Sequence, residues 1–125
     1  GIIYPELHYG RDSLVGIALF LSHLAHKKMK LSELRDSYPK YTISKNKIEL
    51  TPSIDVDNVL AKMAEKYSEY EVDTLDGVKI YIEKEWVHLR KSNTEPIIRI
   101  YSESETAEKA NELAFKIMED IKMLS

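Results

Sequence analysis

The sequence contains no cysteine, which excludes a disulfide framework, thiol catalysis and a cysteine-ligated zinc site. It has only four glycines and four prolines, too few for a collagenous or low-complexity chain. No apolar run reaches the roughly 18 residues of a membrane span and no signal peptide opens the chain, so we expect a cytoplasmic protein without a membrane partner. Positive charge is not in excess either. Eighteen lysines and arginines oppose 21 aspartates and glutamates, and the net charge of -3 argues against a nucleic-acid partner.

The chain has enough residues for about one globular domain. It contains 125 residues, of which 43% are hydrophobic, an ordinary share for a folded protein. It begins at Gly1 without a methionine. We therefore expect a piece of a longer protein, with room for a catalytic motif upstream.

The N-terminal third predicts helices that one small domain cannot bury by itself. Residues 13–28 are apolar almost all round, as in a helix that is covered on most sides. Two explanations stay open: the chain self-associates through residues 13–28, or the natural neighbours of this helix are absent. A shorter helix is predicted at 31–38, and the stretch 37–41 around Pro39 is the candidate domain boundary.

The remainder of the chain predicts a β-α-β-β-β-α order. Residues 41–50 read as a strand or a kinked strand pair, and a helix follows with Ser53 or Asp55 as its N-cap. Strands are predicted at 71–75 and 78–83, flanking an Asp-Gly hairpin dipeptide, and then at 86–91 and 97–103. An amphipathic helix ends the chain. This order predicts an α+β fold, with a mostly antiparallel sheet and its helices on one face.

The connection between the last two strands carries the most chemical information. From Trp86 to Arg99 the net charge is +2, in a chain that is acidic overall. Arginine offers a planar fork of donors that matches phosphate oxygens, and hydroxyl, amide and backbone N–H groups can occupy the other acceptor sites. If Val87 and Leu89 face the core, Trp86, His88 and Arg90 face the other way. The alternative is an ordinary polar turn with a surface ion pair.

The stretch RKSNTEPIIRIYSE, which begins at Arg90, resembles the C-terminal phosphate-binding loop of the α-D-phosphohexomutases. This family includes phosphoglucomutase, phosphomannomutase and phosphoglucosamine mutase. Its pattern is Arg, any residue, Ser, Gly or Asn, Thr, Glu or Thr, Pro, commonly with an Arg three residues later. Every position is met here, and the resemblance extends over the whole chain.

The resemblance implies a fold and a domain plan. Residues 39–125 correspond to the family's fourth domain, a small α+β domain similar to the TATA-binding-protein fold. Residues 1–38 resemble the helical tail of the third, α/β, sugar-binding domain. The apolar helix would then be without its neighbours because its own sheet belongs to the part of the protein upstream.

The resemblance also implies an activity for the intact enzyme. Such mutases are isomerases that interconvert hexose 1-phosphate and hexose 6-phosphate through a bisphosphate, using a phosphoserine and a magnesium ion. Neither the serine loop nor the aspartate-rich magnesium loop is found in this sequence. The fragment alone is therefore expected to be inactive and to bind no metal, and its partner is a phosphosugar substrate.

Specific residues follow from the match to the motif. Those implied to bind the substrate's non-reacting phosphate are Arg90, Ser92, Asn93 and Thr94, and those implied to support the loop are Glu95 and Arg99. His8 and Arg11 are candidates for a sugar contact.

His23 and His26 have a helical spacing that could hold a metal, but two histidines without a third ligand predict a solvated or packed pair instead. A stand-alone anion-binding or dimerising module is the competing interpretation of the chain.

Overall fold

The computed structural model describes residues 1–49, 51 and 54–124. They form two compact units, Gly1–Pro39 and Lys40–Ser125. The assignment of 1–38 and 39–125 to two domains of a larger enzyme stays a prediction. Within the described residues, no helix is both long enough and apolar enough to cross a membrane.

The first unit consists of a short N-terminal turn and two helices, α1 (Ser13–Lys27) and α2 (Leu31–Ser37). Helix α1 starts at Asp12 because its carboxylate accepts hydrogen bonds from the backbone N–H groups of Leu14 and Val15. The bond from Val15 and the one from the His8 ring are the main causes that lower the pKa of Asp12. The helix ends at Lys28, which adopts a left-handed conformation with φ 52°.

Helix α1 is rich in apolar side chains, but the described chain does not bury them. None of its fifteen residues is buried. Its large apolar side chains are instead among the most exposed of the chain, led by Leu14 at 76% and including Ile17, Leu19, Phe20 and Leu21. An uncovered surface of this kind is typical of a helix that packs against another element or chain.

The second unit confirms the predicted α+β fold. Its elements are β1 (Thr42–Glu49), α3 (Val56–Lys66), β2 (Glu71–Asp73), β3 (Val78–Ile82), β4 (Glu85–Lys91), β5 (Ile97–Ser104) and α4 (Ala107–Leu124). The five strands form one sheet in the order β1-β5-β4-β3-β2, and all four pairings are antiparallel. Strand β1 is a single strand rather than a kinked pair, and its predicted last residue, Leu50, lies outside the described residues.

Both long helices of this unit pack on one face of the sheet. The core side chains come from alternate strand positions, which bury isoleucine, valine and leucine against the apolar stripes of α3 and α4. Between the two helices, Asp120 accepts hydrogen bonds of 2.6 Å from Lys66 and from the hydroxyl of Tyr67. Burial acts to raise the pKa of Asp120, but these two bonds and the charge of Lys66 outweigh it, and the net shift is downward.

The β2–β3 hairpin differs from the sequence prediction. Strand β2 ends at Asp73 rather than at residue 75, so four residues connect the strands instead of the dipeptide Asp76-Gly77 alone. The carboxylate of Asp73 accepts a hydrogen bond from the Leu75 N–H and starts the turn earlier. A two-residue type I′ turn needs a positive φ at both central residues, and in this connection only Gly77 has one, at 82°.

Of the two N-cap candidates for α3, Asp55 occupies the N-cap position in the structure. The carboxylate of Asp55 accepts hydrogen bonds from the N–H groups of Asp57 and Asn58, as an N-cap requires. Ser53, the other candidate, lies outside the described residues.

Candidate anion-binding site

Strand β4 directs Arg90 away from the core. Val87 and Leu89 are fully buried on the helix side of the sheet. Residues at even positions therefore point to the open face, where His88 is partly exposed and Arg90 is exposed. The predicted alternation of β4 is confirmed, and it places an arginine at the end of the strand where the chain leaves the sheet.

The loop from Ser92 to Pro96 is closed by its own hydrogen bonds. The N–H of Ser92 donates to the carbonyl of Ile97 at 3.0 Å, and the N–H of Ile97 donates to the carbonyl of Glu95 at 2.8 Å. Within the turn, the hydroxyl of Ser92 lies 3.4 Å from both the N–H and the hydroxyl of Thr94. These bonds hold a serine, an asparagine and a threonine in one short polar turn beside Arg90.

A cleft of about 250 Å³ opens at this loop. All four residues that the sequence assigns to phosphate binding line it, and its lining consists of Arg90, Lys91, Ser92, Asn93, Thr94, Arg99 and Tyr101. Of the two supporting residues, Arg99 reaches this cleft, whereas Glu95 lines a neighbouring one. The arrangement offers hydroxyl, amide and guanidinium donors to one anion, the set that phosphate recognition needs.

Each cation at the cleft faces one carboxylate in the described chain. Arg90 Nε lies 3.2 Å from Asp76 Oδ1 in the β2–β3 turn. Lys91 Nζ lies 2.7 Å from Asp57 Oδ2 on α3. Arg99 Nη2 lies 4.0 Å from Glu95 Oε2, the outer limit of an ion pair. All these side chains are well exposed, so the pairs contribute little stability and an anion can reach the cations.

Sheet register brings two further cations, Lys45 and Lys47, to the same face, and sequence reasoning missed both. Arg99 on β5 lies opposite Arg90 on one side and opposite Lys47 of β1 on the other. Two residues along β5, Tyr101 lies opposite Lys45, whose ammonium group is 5.8 Å from the centre of the tyrosine ring. Lys45, Lys47, Arg99 and Tyr101 line a second cleft of about 300 Å³. Only the strand order, which the sequence does not state, could have revealed this row.

The two candidate sugar contacts belong to the first unit. The His8 ring nitrogen Nε2 lies 3.1 Å from Asp12 Oδ2, and Nδ1 accepts a hydrogen bond from the Gly10 N–H. With Nδ1 as an acceptor, Nε2 is the ring nitrogen that donates a hydrogen bond to Asp12. Arg11 is exposed and lines a mostly apolar cleft together with residues of α1. His8 is thus held by its own turn.

His23 and His26 belong to no cluster of metal-binding residues within the described part of the chain. Both histidines lie on α1, where none of the residues is buried. Among residues 1–49, 51 and 54–124, no group of three or more histidines and carboxylates could hold a metal ion.

Together these observations describe a small α+β domain with a polar, arginine-bearing loop between its last two strands. Residues 46–120 match the family described as phosphoglucomutase/phosphomannomutase, C-terminal domain. The chain therefore belongs to the phosphohexomutase family and contains its C-terminal domain.

Curated relatives agree with this family. The chain is 42% identical to a phosphoglucosamine/phosphogalactosamine mutase of Sulfurisphaera tokodaii, over 90% of this chain and 25% of that protein. It is 40% identical to a phosphoglucomutase/phosphomannomutase of Thermococcus kodakarensis, over 96% of this chain and 27% of that protein. A phosphomannomutase of Methanocaldococcus jannaschii is 29% identical over 82% of this chain and 22% of that protein. The chain spans about a quarter of the length of these relatives.

Proposed function

We propose that the chain is the C-terminal part of a phosphosugar mutase, an isomerase that interconverts hexose 1-phosphate and hexose 6-phosphate through a bisphosphate. In this proposal the chain binds the phosphate that is not reacting and closes the active site. The observation that carries it is the cleft that Arg90, Ser92, Asn93 and Thr94 line together. Membership of the mutase family supports it.

The chemistry of the cleft fits a phosphate ester. Arg90 supplies a planar fork of N–H donors, and Ser92 and Thr94 supply hydroxyls that can donate to phosphate oxygens. The Asn93 amide adds two further N–H donors. Because the loop and the ion pairs of its cations are exposed, a phosphate can enter and leave without breaking a buried network.

Holding the non-reacting phosphate serves catalysis through orientation. Contacts remote from the reacting atoms supply binding energy that keeps the sugar in place and drives closure around it. Both hexose phosphates and the bisphosphate carry a phosphate that such a loop can hold while the other end of the sugar reacts. Glu95 keeps the loop in shape through Arg99, and His8 and Arg11 contact the sugar in this proposal.

The reacting groups lie outside this chain in the same proposal. A magnesium ion, when bound in the intact enzyme, assists phosphoryl transfer. No group of described residues fits such an ion. The chain alone is proposed to be inactive as a mutase, and the intact enzyme is proposed to work in the cytoplasm.

A second candidate function is a stand-alone anion-binding module that dimerises through α1. The specific observation in its favour is the row of exposed apolar side chains on that helix. The two proposals differ in what precedes Gly1. A reading frame that continues upstream for the remaining three quarters of a mutase supports the first, and a native start at this position supports the second.

Binding of simple ligands tests the proposed phosphate site. The chain is titrated at constant ionic strength with inorganic phosphate, glucose 1-phosphate and glucose, and its NMR spectrum is followed. We expect saturable changes with both phosphates and none with glucose. Equal responses to glucose and glucose 1-phosphate, or no response to either phosphate, would contradict the proposal.

A further inference from the structure

We propose that Asp76 is a positioning residue that orients Arg90 for phosphate, an inference that rests on the proposed function of the loop. Its carboxylate oxygen Oδ1 lies 3.2 Å from Nε of Arg90. Nε is the guanidinium donor nearest to the side-chain stem. An ion pair through Nε leaves the two terminal nitrogens of Arg90 to form the fork that meets phosphate oxygens.

The turn that carries Asp76 is anchored to the strand that carries Arg90. The His88 ring nitrogen Nε2 lies 2.6 Å from the carbonyl oxygen of Asp76. A carbonyl only accepts, so Nε2 carries the proton and donates it. Next in the chain, Gly77 has φ 82°, and a Cβ there would collide with the carbonyl oxygen of Leu89. The turn therefore lies directly against β4, and Asp76 has a fixed position from which to hold Arg90.

Stability does not account for a carboxylate at this place. The side chains of Arg90 and Asp76 are 56% and 61% exposed, and ion pairs this exposed stabilise a fold little. Simple electrostatics would even disfavour Asp76, because a negative charge beside an anion site repels the ligand. Positioning acts in the opposite direction, since an arginine that is already ordered loses less side-chain freedom when phosphate binds. The two effects therefore predict opposite signs when Asp76 is neutralised.

The neighbouring residue provides a matched control. Lys91 pairs with Asp57 at 2.7 Å, and these two side chains are similarly exposed. Lys91 contacts α3 on the helix side of the sheet, whereas Arg90 points to the open face. Asp57→Asn and Asp76→Asn remove the same charge from equivalent ion pairs, but only Asp76 orients an arginine that the proposal assigns to phosphate.

The experiment compares phosphate affinity among four proteins: the unaltered chain, Asp76→Asn, Asp76→Ala and Asp57→Asn. Inorganic phosphate is titrated at constant ionic strength, and the ¹H–¹⁵N spectrum reports both Kd and the Nε–H signal of Arg90. We expect both Asp76 variants to raise Kd about three- to fivefold, the effect of an exposed ion pair at the upper end of its range. Asp57→Asn leaves Kd unchanged or lowers it.

The Arg90 Nε–H signal separates positioning from a merely structural role. In the Asp76 variants it shifts and exchanges faster with solvent before any phosphate is added, while the backbone amides of β4 and β5 keep their positions. Asparagine is itself a favoured turn residue, so Asp76→Asn retains the hairpin. Unchanged or tighter binding in both Asp76 variants, alongside normal binding by the unaltered chain, would overturn the inference. No binding by the unaltered chain would overturn the proposed function and this inference with it.

Discussion

If the proposed function holds, replacing Arg90 with alanine should weaken the intact protein's mutase activity, mainly at the step where the substrate is oriented. Arg90 is the strongest donor among the residues assigned to the phosphate, and its partner in the free chain is the exposed carboxylate of Asp76. A hydrogen bond to a charged group contributes roughly 1.5–3 kcal/mol. The pair with Asp76 uses Nε and leaves the terminal nitrogens of Arg90 for phosphate, so phosphate binding need not break it. A loss of roughly 1.5 kcal/mol or more corresponds to a decrease of at least about tenfold in kcat/KM.

The assay is steady-state turnover of a hexose 1-phosphate, the proposed substrate, by the intact protein that carries this chain. Lys109→Ala is the matched control, because it removes the same charge from a similarly exposed ion pair, with Glu105, and Lys109 does not line the proposed phosphate cleft. We expect Lys109→Ala to change kcat/KM by less than about threefold. Unchanged kcat/KM in Arg90→Ala, or equal losses in the two variants, would refute the assignment of Arg90 to the phosphate.

Three further predictions concern the fold. The lowered pKa of Asp120 contributes stability that is present above its ordinary pKa of 3.8 and is lost as the pH falls through the lower folded value. Asp120→Asn should therefore lower the free energy of unfolding at pH 7 by about 1–3 kcal/mol and flatten its decline in acid, as measured by urea unfolding; an unaltered pH profile would argue against this role. Gly77→Ala should destabilise the chain by at least about 1 kcal/mol, because alanine disfavours positive φ and its Cβ would meet Leu89; an unchanged midpoint would show that the turn can relax. The exposed apolar side chains of α1 should drive self-association, which analytical ultracentrifugation measures and which Leu14→Lys combined with Leu21→Lys should abolish; a monomeric chain with α1 ordered would contradict this.

Local patterns were sufficient to predict most of the second unit. Helices α3 and α4 carry one apolar stripe each, and β4 and β5 alternate between buried and exposed positions, so period and capping residues located these elements closely. The β2–β3 turn was predicted less well. The dipeptide Asp76-Gly77 indicated a two-residue hairpin. The side chain of Asp73 instead accepts a hydrogen bond from the Leu75 N–H, so the strand ends two residues earlier than predicted. A rule based on the dipeptide alone does not include such side-chain to backbone hydrogen bonds.

The sequence predicted only those residues of the candidate site that follow one another in the chain. Arg90 through Thr94 are contiguous, so one motif indicated them together. Asp76, by contrast, contacts Arg90 from the β2–β3 turn. Lys47 lies beside Arg99 only because β1 pairs with β5. These contacts depend on strand order and register, which long-range packing decides and a single sequence does not display.

The central claim is that the loop beginning at Arg90 is a phosphate-binding site, and residue-resolved NMR tests it most directly. Backbone amides of the chain are assigned and followed during titration with inorganic phosphate and then glucose 1-phosphate. The account predicts saturable shifts concentrated on Arg90 through Thr94 with both ligands, even at millimolar affinity. Saturable shifts confined to other residues, or an unchanged spectrum for Arg90 through Thr94, would contradict it.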